Sequence, residues 1–199
     1  VDITLIGEVE PDKMVRRSTA RPGDAILVTG YPGEAAQGLR MLLKDPHPKS
    51  LFRHPLVRTY IRPGHRADEG HAIAQAGLAT AMIDTSDGFL GDLGHICEKS
   101  RVGALLYEEY LPLSPLLKEA AQKQGEEPWR LVFQDSDDYE LILTCPPEHI
   151  QEVKRILSGF GPCPVSRVGE ITDATGSIIL VSSDGKSTPL TATGWNHFT

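Results

Sequence analysis

The stretch Ile83-Asp84-Thr85-Ser86-Asp87-Gly88 carries two carboxylates three residues apart, with a hydroxyl between them, where a strand pattern gives way to a helix pattern. Carboxylate oxygens are hard ligands that suit magnesium, and a serine hydroxyl beside the free N–H groups of a helix start suits a phosphate. The carboxyl end of a strand is also where ligands settle in α/β folds. Helix starts draw Asp and Ser for a plainer reason as well: these side chains accept the unpaired N–H groups and complement the helix dipole. One capping side chain is sufficient, and here three polar groups crowd one turn. The residues alone leave cap and ligand site side by side.

A second acidic group, Asp135-Ser136-Asp137-Asp138-Tyr139-Glu140, precedes an apolar run. Its charge reads as a solvated turn; brought beside the first group, it would suit a metal or a cationic ligand. Strand alternation from Tyr139 to Thr144 puts Tyr139 and Leu141 on one face, Glu140 and Ile142 on the other. Arg16-Arg17-Ser18 offers guanidinium groups that neutralise phosphate by bidentate contact. Trp195, in the closing Gly-Trp-Asn-His-Phe, either anchors the tail or gives a stacking face to a flat or cationic ligand. The seven histidines show no metal-ligand spacing and read as structural. Walker A, the kinase signatures, the EF-hand loop and the two-apart aspartates of haloacid-dehalogenase phosphatases are all missing. Any nucleotide bound here is held without a P-loop.

The elements that must position these groups alternate. Strands are expected at Asp2 to Val9, Ala25 to Thr29, Ala81 to Ile83, Gly103 to Tyr107, Arg130 to Phe133, Tyr139 to Thr144, Val165 to Ile171 and Ser177 to Ser182. Helices are expected at Glu34 to Lys44 (apolar face Ala35, Leu39, Leu42, Leu43), Ala67 to Ala79, Asp87 to Ser100, Ser114 to Lys123 and Pro147 to Phe160. Ser114 serves as N-cap with Pro115 at the first helical position. Asp45 to Gly64 holds four prolines and reads mostly as loop. Interleaved strands and helices imply an α/β or α+β fold, one layer of helices on a mixed β-sheet.

The chain has 199 residues, enough for one large domain or two small ones, with 20 Lys+Arg against 27 Asp+Glu for a net charge of −7. An acidic total with no basic cluster argues against nucleic acid and anionic lipid as partners. No apolar run approaches the roughly 20 residues of a membrane span. Cys97, Cys145 and Cys163 are odd in number and form no C-x-x-C pair, which points to buried small hydrophobes and a reducing, cytoplasmic setting. The chain opens at Val1, inside a strand-like segment, and reads as a piece of something longer.

Arg17-Ser18 with Arg21-Pro22-Gly23-Asp24, Val28-Thr29-Gly30, Met82 to Leu90, Asp92 to Ile96, Asp138 to Leu141 and the closing Gly-Trp-Asn-His-Phe stand in one order along the chain. In this the sequence resembles the thiamine-monophosphate kinases of the aminoimidazole ribonucleotide synthetase-like superfamily. The resemblance implies a fold like the C-terminal domain of that superfamily over residues 21–199. Residues 1–20 would then be an end strand and linker from a missing N-terminal domain. It further implies direct in-line transfer of the ATP γ-phosphoryl group to thiamine monophosphate, with Mg2+ on Asp84 and Asp87, ATP on Arg17 and Ser86, and the thiamine substrate on Asp137 and Trp195. No residue is given a covalent catalytic role. The whole protein would be a homodimer, and the present chain would be inactive without its other domain. One departure stands out: where the family reads Gly-Gly-Glu-Asp-Tyr-Glu, this chain reads Asp135-Ser136-Asp137-Asp138-Tyr139-Glu140, with a shorter acid and no glycines. The alternatives are another ATP-dependent synthetase or ligase of the superfamily, and a non-catalytic binding module.

Overall fold

The structure, a computed structural model, describes residues 4, 6–45 and 47–192. Among them, one sheet is built from β1 Ala25–Thr29, β2 Ala81–Asp84, β3 Gly103–Tyr107, β4 Leu141–Cys145, β5 Val165–Thr172, β6 Ile178–Val181 and β7 Ser187–Leu190, in the order β2-β4-β1-β5-β3-β6-β7. Only β3 and β6 pair in parallel; the other neighbours are antiparallel. The helices are α1 Glu34–Lys44, α2 Pro55–Ile61, α3 Ala67–Ala76, α4 Phe89–Ser100, α5 Pro115–Gln124, α6 Pro128–Val132 and α7 Ile150–Leu157.

Strand β1 shows how the layers form. Successive side chains point to opposite faces, and register pairs Val28 with Ile142 and Leu27 with Leu143. Ile26, Val28 and Ile142 meet Phe89, Leu93 and Ile96 of α4 on one face. Ala25, Leu27 and Leu143 meet Ile73 of α3 and Val153 and Leu157 of α7 on the other. Both faces are therefore covered, not one, which is why Ala25-Ile26-Leu27-Val28 is continuously apolar. A smaller cluster joins Leu117, Ala120 and Ala121 of α5 to Leu131 of α6.

Several expectations need correcting. The stretch Asp45 to Gly64 is not mostly loop, for it contains α2. Its Pro55 occupies the first helical turn, where the missing N–H is not needed. Leu56 and Val57 are buried, and the Leu56 carbonyl lies 2.1 Å from where a side chain on Gly38 would begin, so the glycine lets α2 press onto α1. That packing, not the hydrophobic period, sets the buried face of α1: it buries Ala35, Gln37 and Gly38, and leaves Leu43 77% exposed. The expected strand Arg130 to Phe133 is the short helix α6, opened by Pro128. A third closing strand, β7, was not expected. Of the expected strand Asp2 to Val9, residues 4 and 6–9 belong to no strand and the rest lie outside the described residues. Cys97 and Cys145 are buried as expected, and burial pushes both thiols up to about 11. No helix among the described residues is long and apolar enough to cross a membrane.

Candidate functional site

Strands β2 and β4 are neighbours, with Asp84 opposite Leu141 at the end of their ladder. Thr85, fully buried, carries the pairing one step further. Its N–H donates to the Glu140 carbonyl (2.8 Å), its carbonyl accepts from the Tyr139 N–H (2.9 Å) and its Oγ1 accepts from the Glu140 N–H (2.9 Å). Tyr139 takes a left-handed conformation, φ 53°, to allow this. The alternation expected from Tyr139 onward is thus broken, and the regular strand begins at Leu141. Gly88, with φ 103°, completes the junction: a side chain there would begin 2.8 Å from the Gln134 carbonyl and 3.1 Å from the Asp135 Cα. Only glycine accepts both the conformation and the approach.

These contacts bring the two acidic groups together. Ser86, Asp87, Asp135 and Asp137 line one cavity of about 460 Å3, closed on the other side by Ala36 and Leu39 of α1 and Tyr60 of α2. Tyr60 went unnoticed in the sequence because its helix was read as loop.

Helix α4 starts at Phe89 with Gly88 as N-cap, and no side chain caps it. The capping reading of Asp84, Ser86 and Asp87 therefore has no hydrogen bond behind it. Instead Asp92, only 2% exposed, reaches back from the first turn to accept the Asp87 N–H at 3.0 Å. Asp87, Asp92 and His95 bring one donor atom each within 4.8 Å of one another. Burial, reinforced by the charges of Asp87 and Asp84, pushes the Asp92 carboxyl up to about 6, partly offset by that hydrogen bond and by His95. A carboxylate so placed is short of positive charge, and hard oxygen donors in this state fit a magnesium ion.

Asp84 is exposed at the strand end, near enough to raise Asp92 but outside the three-donor group. Asp92 and His95 stood in the sequence only within the motif Asp92 to Ile96 and were given no site role, although their i, i+3 spacing on one helix face beside Asp87 was legible.

A stability prediction arises here. The Asp92 carboxyl holds its proton more firmly in the folded than in the unfolded chain, so folding is favoured as pH falls through 6 toward 4 and opposed above it. Asp92→Asn removes that opposition while keeping an oxygen for the Asp87 N–H. We expect the variant to be more stable by about 2 kcal/mol at pH 8, the difference fading by pH 4, as read by urea unfolding at both values.

The other predicted residues fall as follows. Arg17 is exposed; its carbonyl accepts from the Ser100 hydroxyl (3.2 Å), at the far end of α4, about 18 Å of helix away from Ser86. The structure does not bring Arg17 and Ser86 into one cluster. Asp137 is exposed and lies in the cavity with Ser86 and Asp87. Trp195 lies outside the described residues. Two further acids of the 135–140 segment are occupied structurally. Asp138 accepts the N–H groups of Gly33 (2.6 Å) and Ala35 (2.9 Å) at the start of α1, and the Ser136 hydroxyl at 2.7 Å. Glu140 accepts from the Arg66 guanidinium at 2.7 and 2.8 Å and from the Thr29 hydroxyl at 2.5 Å.

Residues 21–182 match the family model described as AIR synthase related protein, C-terminal domain. The chain is 33% identical to the curated thiamine-monophosphate kinase of Haemophilus influenzae over 201 aligned residues, covering all of this chain and 60% of that protein. It is similar in structure to the thiamine-monophosphate kinase of Stenotrophomonas maltophilia, with TM-score 0.74 and 29% identity over 90% of this chain and 56% of that one. It is likewise similar to AaThiL complexed with AMPPCP and TMP, with TM-score 0.69 and 30% identity over 92% of this chain and 54% of that one. The chain thus spans about three fifths of the length of the curated relatives it matches.

Proposed function

Because the chain belongs to the family of AIR synthase related proteins, through their C-terminal domain, we propose that it is the C-terminal part of a kinase that transfers the γ-phosphoryl group of ATP to thiamine monophosphate, giving thiamine diphosphate. The observation that carries this reading is the joint cavity: Ser86 and Asp87 on one wall, Asp137 on the other, held together through Thr85. The complex named for one relative, a nucleotide analogue and TMP together, suits a site with two such walls.

In this reading Asp84 and Asp87 hold Mg2+, with Asp92 beside them, and Ser86 donates its hydroxyl to a nucleotide phosphate. Bound magnesium supplies neutralisation of the phosphate oxygens, which in-line phosphoryl transfer needs more than covalent catalysis. Asp92 fixes the loop through the Asp87 N–H, so the Asp87 carboxylate is presented without reorganisation. Arg17, along α4, takes the other end of an extended nucleotide. The face of α4 between them, at Gly91, Gly94, His95 and Glu98, borders a cavity of about 530 Å3. Asp137 and Trp195 take the thiamine substrate. A carboxylate suits its cationic ring system, and Asp137 reaches one methylene less far than the family's Glu.

The test uses the complete protein with Mg-ATP and thiamine monophosphate, with thiamine diphosphate read by chromatography. Its appearance, dependent on magnesium, is the expected result. ATP turnover stimulated by an amide or formyl substrate and not by thiamine monophosphate would instead assign a synthetase of the same superfamily.

A further inference from the structure

From residue 46 to residue 67 the chain carries Lys49, Arg53, Arg58, Arg62 and Arg66 and not one Asp or Glu, within a protein of net charge −7. The expectation that the chain holds no basic cluster fails here. The fold gathers the four arginines around one cavity of about 590 Å3, between α2, the start of α1 and the 160–164 turn. It is separate from the cavity of Asp87: in α2, Thr59 lines the one and Tyr60 the other.

The acids on its floor answer to other groups. Glu140 is taken by Arg66 and Thr29, and Asp138 by the N–H groups of α1 and Ser136. Burial raises the Glu34 carboxyl, and the neighbouring charges of Asp138 and Glu140 raise it further, against hydrogen bonds with Ser114 and Thr59. Arg53, Arg58 and Arg62 make no ion pair and no side-chain hydrogen bond among the described residues. Arg58 lies in α2 and Arg62 caps its end, the Arg62 N–H donating to the Arg58 carbonyl at 2.9 Å. Three unpaired guanidinium groups facing one concave space, with Tyr31 and Phe160 in its wall, match the oxygens of linked phosphates, which arginine holds bidentately.

We propose that this cleft is a second anion site, which binds a small molecule carrying two or more linked phosphates through Arg53, Arg58 and Arg62. The cavity has the size of a small-molecule pocket, which suits a compact polyphosphate. The proposal does not depend on the kinase reading, and the experiment keeps the two apart.

Tripolyphosphate is titrated calorimetrically into the complete protein at fixed ionic strength, with EDTA present so that no metal can bridge phosphate to Asp84 and Asp87. Saturable binding is expected, weakened about tenfold or more in Arg58→Gln/Arg62→Gln. These arginines are exposed, so the fold should tolerate the change. A control double variant, Arg155→Gln/Arg167→Gln, removes the same charge elsewhere and should leave the affinity unchanged. Absence of saturable binding overturns the proposal. So does an equal loss in both variants, which would reveal only the general field, or tighter binding of a single-stranded oligonucleotide than of tripolyphosphate.

Discussion

Asp87→Asn is expected to lower the turnover of Mg-ATP with thiamine monophosphate about a thousandfold or more in the complete protein, without unfolding it. The fold should survive because the neighbouring structure uses the Asp87 backbone N–H, which Asp92 accepts, and Asn keeps that group. On the proposed function the loss should be large because the carboxylate would hold the magnesium that neutralises the moving phosphoryl group, and neutral Asn neither binds that ion well nor offsets its charge. Two readouts separate this from a structural effect. The far-UV spectrum and urea midpoint should match those of the unsubstituted protein, while the thermal stabilisation by millimolar magnesium should disappear. Activity within tenfold of the unsubstituted protein would remove Asp87 from the metal site.

The second large effect concerns stability. Arg66 and Glu140 are 21% and 14% exposed in their side chains and form a two-pronged pair, with Glu69 on the remaining guanidinium nitrogen. Arg66→Met leaves Glu140 partly buried without its cation, against the Thr29 hydroxyl and close to the backbone of Gly30. Breaking such a pair from one side costs about 3–4 kcal/mol. Arg66→Met combined with Glu140→Leu should recover part of that loss, because Glu140 is then no longer stranded and only Glu69 lacks its cation. Urea unfolding of the two single variants and the double variant gives the coupling directly. Equal, additive losses would show that the two side chains act independently.

How far the sequence could be read depended on what each feature rests on. The Asp84–Asp87 turn, β1 and the cap at Ser114 were legible because they follow from local chemistry: breakers, β-branched runs and a hydroxyl before a proline. Helix α2 was not, because four prolines in Asp45 to Gly64 outweighed the pattern, and only Gly38 on α1 makes room for it. The same tertiary packing hides the true buried face of α1 and with it Tyr60. In the acidic segment, charge density could not tell Asp137, which faces the cavity, from Asp138, which caps α1. Adjacent residues of one type take opposite duties there because Asp138 is drawn onto the Gly33 and Ala35 N–H groups. Asp92 escaped because a buried carboxylate in a helix has no signature beyond its spacing from Asp87.

Thr85 has a consequence for how the cavity behaves in time. The amide protons of Thr85, Tyr139 and Glu140 are all held in bonds between the same two loops. They can reach solvent only when those loops part, so they should exchange with deuterium through one shared opening. The wall that carries Asp87 and the wall that carries Asp137 are thereby tied together by the same three bonds. A ligand on one wall has no separate closure to drive on the other. On the proposed function, cooperation between nucleotide and acceptor would then be carried by their charges and not by a change of shape.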